Sequence, residues 1–257
     1  MDAKTKRTLR ECAAKYETRA FIEGDPSWFM HQVKGKRNME ATAFVASSLS
    51  FGSRAQFMPK IQRLLDFAEG DMDRWIRTGE FEKHLKPSDG ACFYRFFSAA
   101  TMNSFLRAYK RTMECHGSLG EFVKGACAGN AVKAVEAIVR QFRKEGSSGV
   151  IPKDAGSACK RVCMFLRWMV RSGSPVDLGL WAGFIDRKTL VVPLDTHVLQ
   201  EAKRLGLLKS ASASMSTAKK LTAALAEAFP EDPAKGDFAL FGYGVSGASV
   251  KSPDCGR

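Results

Sequence analysis

The stretch Leu190-Val191-Val192-Pro193-Leu194-Asp195-Thr196-His197-Val198, closed by Lys203-Arg204-Leu205-Gly206-Leu207, changes character once. A short apolar run ends at Pro193, which has no backbone N–H to donate and a fixed φ. Asp195 then reads as the cap or first residue of a helix, because its carboxylate can accept from the amides of the coming turn. Gly206 supplies the exit. The spacing predicts a helix from about Asp195 to Gly206 with a carboxylate held rigidly at its start.

Helical spacing continues on both sides. Upstream, Ala43, Phe44, Ala46 and Leu49 form an apolar stripe within 40–49, and Phe57, Ile61, Leu64, Leu65 and Ala68 form another after Ser53. Further helices are expected over 92–113, 131–142 and 158–171, and downstream over 217–228 and 238–243. Gly117-Ser118-Leu119-Gly120 and Gly146-Ser147-Ser148-Gly149 punctuate them, and Gly173 with Pro175 ends the helix after 158. The fold class is therefore all-α, a single domain over 1–257 with loose ends only in the first few residues and after Gly247.

Of 257 residues, 40 are Lys or Arg against 27 Asp or Glu, a formal charge of +13. Such a surplus favours a polyanion, because each phosphate neutralised releases condensed counterions, and nucleic acid is the leading partner class. No apolar run is long enough to span a bilayer, and Met1-Asp2-Ala3-Lys4-Thr5-Lys6-Arg7 lacks the apolar stretch of a secretory signal, so a cytosolic protein is expected. Cys12, Cys92, Cys115, Cys127, Cys159, Cys163 and Cys255 are odd in number and share no repeated spacing, which argues for reduced thiols and against a disulfide framework or a zinc site. The histidines are isolated from one another in sequence. A monomer needing neither metal nor organic cofactor is the expectation.

The helix expected after 158 carries a second candidate for chemistry. Successive residues rotate by about 100°, so Lys160, Met164, Arg167 and Arg171 fall near one face while Val162, Phe165, Leu166 and Met169 turn elsewhere. One edge is cationic and the other apolar. Lys160 stands in the first turn beside Arg161, where an amine nucleophile is one reading and a solvated basic edge the other.

Val192-Pro193-Leu194-Asp195-Thr196-His197-Val198 with Arg204-Leu205-Gly206-Leu207 resembles the V-P-x-D-T-H-V…R-L-G-L signature of the helix-hairpin-helix DNA glycosylase superfamily, which includes endonuclease III and the 8-oxoguanine glycosylases. The resemblance implies two helical subdomains flanking a cleft, with a hairpin-like element over about 145–171. It makes Asp195 the essential carboxylate and Lys160 the amine that attacks the sugar C1′ in the members with lyase activity. The separation, 195 − 160 = 35 positions, is longer than in endonuclease III and similar to that in the archaeal 8-oxoguanine glycosylases. An oxidised purine such as 8-oxoguanine in double-stranded DNA is therefore the expected lesion.

Gly156, Ser157, Arg161, Arg167, Arg171 and His197 are the expected nucleic-acid contacts, and Phe51, Met164, Trp168 and Trp181 the candidates for stacking on an extruded base. The chain departs from the superfamily at the hairpin. The usual L-P-G-V-G-x-x-T-A, which grips a phosphate with backbone N–H groups, is replaced by Ile151-Pro152-Lys153-Asp154-Ala155-Gly156-Ser157, whose Asp154 opposes an anion. Cys255 is the only cysteine after Cys163, so the iron–sulfur cluster of some relatives is not expected.

A closer resemblance, covering nearly the whole chain, is to an uncharacterised and mostly bacterial family filed as a domain of unknown function. It is carried by His116-Gly117-Ser118-Leu119, by 160–171, by Val176-Asp177-Leu178-Gly179-Leu180-Trp181, and by Pro230-Glu231-Asp232-Pro233 with Asp237-Phe238-Ala239-Leu240-Phe241-Gly242. A helical module that binds DNA or structured RNA without chemistry is the alternative function, since fold does not guarantee activity. A binder needs the cations but not both Lys160 and Asp195.

Overall fold

The computed structural model describes residues 1–147, 149–209 and 212–245; Ser148 of the expected glycine/serine break, Cys255 and the tail after Gly247 lie outside them. The described chain is mostly helical. In order come α1 (Ala3–Tyr16), α2 (Trp28–His31), α3 (Lys36–Leu49), α4 (Arg54–Phe67) and α5 (Met72–Thr78), then strands β1 (Cys92–Tyr94) and β2 (Phe97–Ser98). They are followed by α6 (Ala99–His116), α7 (Leu119–Cys127), α8 (Ala131–Lys144), α9 (Lys160–Val170), α10 (Thr196–Arg204), α11 (Met215–Ala226) and α12 (Gly236–Val245).

The apolar stripe of α3 lies at the centre. Every residue from Glu40 to Leu49 is buried, and the Phe44 ring meets Phe105, Tyr109, Phe142 and Phe165 at centroid distances of 5.0–5.7 Å. One side chain thus ties α3 to α6, α8 and α9, and the apolar cluster around it extends from Leu9 to Leu240. Edge-on ring contacts of this kind add to the burial of the rings themselves.

Two expectations are corrected. The first residues are not loose: Asp2 caps α1 by accepting from the Thr5 amide, and α1 packs on α12, where the Tyr16 ring lies against Gly242. The helix expected from Cys92 begins only at Ala99, where the Ser98 hydroxyl accepts from the Thr101 amide. The residues before it form a two-stranded antiparallel hairpin in which Tyr94 pairs with Phe97. Aromatic residues fit a pleated surface at least as well as a helix, so apolar spacing alone did not separate the two.

Candidate active site

The segment leading into α10 is fixed before the helix starts. Val192 N–H donates to the Thr222 hydroxyl (3.0 Å), and Val191, Val192, Pro193 and Leu194 are all buried. Asp195 then caps α10: its Oδ1 accepts from the Val198 amide at 2.9 Å. Its other oxygen, Oδ2, lies 2.9 Å from Lys160 Nζ. Lys160 is the first residue of α9, set by Cys159 in the left-handed conformation (φ 45°) just before it. The two candidates for chemistry, each about one-third exposed, therefore meet directly. Burial works to raise the Asp195 carboxyl, but the Lys160 ammonium, the Val198 N–H and the nearby His197 outweigh it and hold the group below the usual carboxylate value.

The pair faces a cavity of about 820 Å³, large enough for a nucleoside. Besides the pair itself, Phe51, Met164, Arg167 and His197 of the expected residues line it. So do residues to which the sequence assigns no functional role: Asp25, Arg54, Phe57, Asp237 and Phe241. Asp25 is held by the Ser27 amide (3.0 Å) and hydroxyl (2.7 Å), with Arg54 at 3.7 Å. Asp237, in the first turn of α12, accepts from Arg167 Nη1. Burial pushes its carboxyl up, aided by the Asp195 charge, although Arg167 and Lys160 pull the other way. Asp237 and Phe241 are four residues apart on one helix and so share a face, a spacing that marks many ordinary helices and gave no functional signal of its own.

Several expected contacts are placed elsewhere. Arg171, 3% exposed, lies away from the cavity, and Arg167, 4% exposed, lines it but is, like Arg171, ion-paired inside the protein and not at its surface. Arg167 bridges Asp177 and Asp237, while Arg171 bridges Asp177, Asp232 and Glu17, tying α9 to α1 and to the 232–237 segment. Burial disfavours both charges, but these carboxylates more than restore them. Helix periodicity put the arginines on one edge without showing that acidic residues cover that edge.

Trp168 is fully buried away from the cavity, and Trp181 donates its indole N–H to Glu40 Oε2 at 2.9 Å while packing on Phe165 and Phe184; both are core, not base-stacking, residues. Gly156 and Ser157 are exposed, but their amides already donate to Asp154 Oδ1 at 2.8 and 3.3 Å, so the turn binds its own carboxylate where a phosphate was expected. Arg161 is half-buried: it donates to Ser48 O at 2.6 Å and lies 5.0 Å from the centroid of Phe51, and burial lowers its pKa to about 10. Among the described residues no three His, Cys, Asp or Glu side chains are grouped to hold a metal, and no helix is long and apolar enough to cross a membrane.

The arrangement is that of a helical protein with a lysine–carboxylate pair at a nucleoside-sized cavity. The chain belongs to the family described as protein of unknown function (DUF2400), which matches residues 25–246. That span holds α2–α12 and, apart from Phe21, every residue that lines the cavity. No curated protein matches the chain, and no solved structure does.

Proposed function

We propose that the protein is a DNA glycosylase with an associated β-lyase step, built on a helix-hairpin-helix glycosylase-like fold with two helical subdomains flanking the cavity. The observation that carries the reading is the 2.9 Å contact between Lys160 Nζ and Asp195 Oδ2 on the wall of a cavity wide enough for an extruded nucleoside. The motif around Asp195 and the +13 charge support it.

In this scheme a damaged nucleotide leaves the duplex and enters the cavity, where Phe51, Met164 and Phe241 offer apolar contact to the base. Asp237 offers a fixed carboxylate to the base edge, since Arg167 holds only one side of it. Asp195, held as the carboxylate, stabilises positive charge on the sugar as the C1′–N bond breaks, and the base departs with the bonding pair and a proton given up by Lys160. The Lys160 lone pair bonds to C1′. The second ammonium proton passes to O4′ as the sugar ring opens, leaving an iminium between Nζ and C1′; loss of a C2′ proton to water then forms the C2′–C3′ double bond and expels the 3′ phosphate. An oxidised purine such as 8-oxoguanine is the proposed base.

The test is borohydride trapping on a panel of duplexes carrying single lesions. Reduction of the iminium is expected to give a covalent adduct with an oxidised-purine duplex, lost in Lys160→Gln, with Asp195→Asn nearly inactive. If duplex binding persists while no lesion traps, the protein is instead a binding module in which the pair merely ties α9 to α10.

A further inference from the structure

Phe96 is 70% exposed, more than any other large apolar side chain among the described residues. It sits in the turn of the β1–β2 hairpin. Because Tyr94 pairs with Phe97, Arg95 and Phe96 form the two-residue turn of the hairpin, and Arg95 takes a positive φ (53°) at a position that hairpins ordinarily give to glycine, asparagine or aspartate. Tyr94 OH donates to Phe51 O, and the hairpin presses so closely on the loop between α3 and α4 that a Cβ on Gly52 would lie 2.7 Å from Arg95 Nη1.

The Phe96 ring is also the outer end of a stack. It lies 5.3 Å from Phe51 and 4.9 Å from Phe97, while the guanidinium groups of Arg95 and Arg161 lie 5.9 and 5.0 Å from the Phe51 ring. Phe51 lines the cavity that holds Lys160 and Asp195. An aromatic and guanidinium column thus runs from the cavity wall to solvent and ends on the exposed Phe96 ring. In a protein of charge +13, with two arginines in the column itself, the complementary occupant is a nucleobase of an anionic strand.

We propose that Phe96 stacks on a nucleobase flanking the one held in the cavity, so that the hairpin supports the strand from which the nucleotide is drawn. The inference rests on the nucleic-acid reading above but not on its chemistry, so it is tested without a reacting base. The probe is a duplex with one tetrahydrofuran abasic-site analogue and 2-aminopurine beside it, whose emission reports stacking.

Wild type is expected to change that emission on binding. Phe96→Ala is expected to bind roughly tenfold more weakly with the emission change lost, and Phe96→Trp to restore both. Because the side chain is exposed, an unchanged thermal melt shows that Phe96→Ala remains folded. Unchanged binding and emission in Phe96→Ala would overturn the proposal, as would a wild-type protein that does not bind the duplex. A failure of borohydride trapping alone would overturn the glycosylase reading and leave this result standing.

Discussion

Lys160 and Asp195 stand at the starts of two different helices, and their side chains meet at 2.9 Å. Each helix start is fixed by something other than the pair. Asp195 is oriented by the Val198 amide, and Lys160 by the left-handed Cys159 before it and by the apolar face of α9 behind it. The contact is therefore preorganised, and it costs little to open because both side chains are partly in water. Exposed or half-exposed ion pairs contribute about 0–1 kcal/mol. Lys160→Gln and Asp195→Asn are thus expected to melt within a few degrees of wild type, so that any loss of trapping reports chemistry; a collapse of either variant in thermal denaturation would mean that the pair is structural.

Arg167 is expected to matter for stability and not for long-range attraction of DNA. Arg167→Ala would leave Asp177 with Arg171 alone and Asp237 without its tether, and removing one partner of a buried pair costs about 3–5 kcal/mol. Urea denaturation measures this. If Arg167 instead touched a phosphate, the variant would unfold like wild type and bind DNA with a shallower salt dependence.

Asp237→Asn keeps the size of the side chain but removes the charge that faces Arg167 and the cavity. The expectation is a protein that still traps on Lys160 with its best lesion yet discriminates less between lesions, read as the ratio of kcat/KM for two damaged bases. Equal discrimination in the variant would mean that the carboxylate does not read the base.

Gly242 sits in α12 between Asp237 and the chain end, with the Tyr16 ring against its Cα. A methyl group there forces α1 and α12 apart, and overpacking of this kind costs about 1–3 kcal/mol. Gly242→Ala should therefore lower the melting temperature. It should also weaken lesion binding more than Gly125→Ala, where nothing lies within 4 Å of the added carbon. Equal melting temperatures for the two variants would contradict the packing described.

Glu40 makes stability depend on pH. Its Oε1 accepts from the Gly120 amide at 3.2 Å and its Oε2 from Trp181, but burial outweighs these bonds and raises the carboxyl above its ordinary 4.5. A carboxyl whose folded value is raised binds its proton more tightly in the native state, so stability falls as pH rises from the unfolded value through the folded one. The stability of wild type relative to Glu40→Gln should therefore decline as the pH rises above about 4.5. A difference that stays flat with pH would show that Glu40 titrates as it does in water.

The helices with strong apolar stripes, α3, α4 and α8, were legible in the stripes of 40–49, 57–68 and 131–142, because burial of one face leaves a 3.6-residue period. Not legible were α1, whose stripe is diluted by lysines and arginines, and the hairpin at 92–98, where aromatic residues suit either structure. In the site, Asp195 was legible because a cap and a motif coincide at one residue. The partners of Arg167 and Arg171 were not, since Glu17, Asp177, Asp232 and Asp237 are scattered along the chain and meet only through packing. The same holds for Asp25 and Phe241, which reach the cavity from opposite ends of the sequence. Gly156 and Ser157 misled for a local reason: the neighbouring Asp154 takes up the amides that would have held a phosphate.

In the proposed reaction Lys160 is the amine that bonds to the sugar. The most direct test of that assignment is peptide mapping by mass spectrometry of the adduct trapped with borohydride on an 8-oxoguanine duplex. A deoxyribose-derived mass is expected on the peptide containing Lys160, absent from Asp195→Asn under the same conditions. An adduct on the N-terminal amine or on another lysine, or no adduct where the duplex is bound, would contradict it.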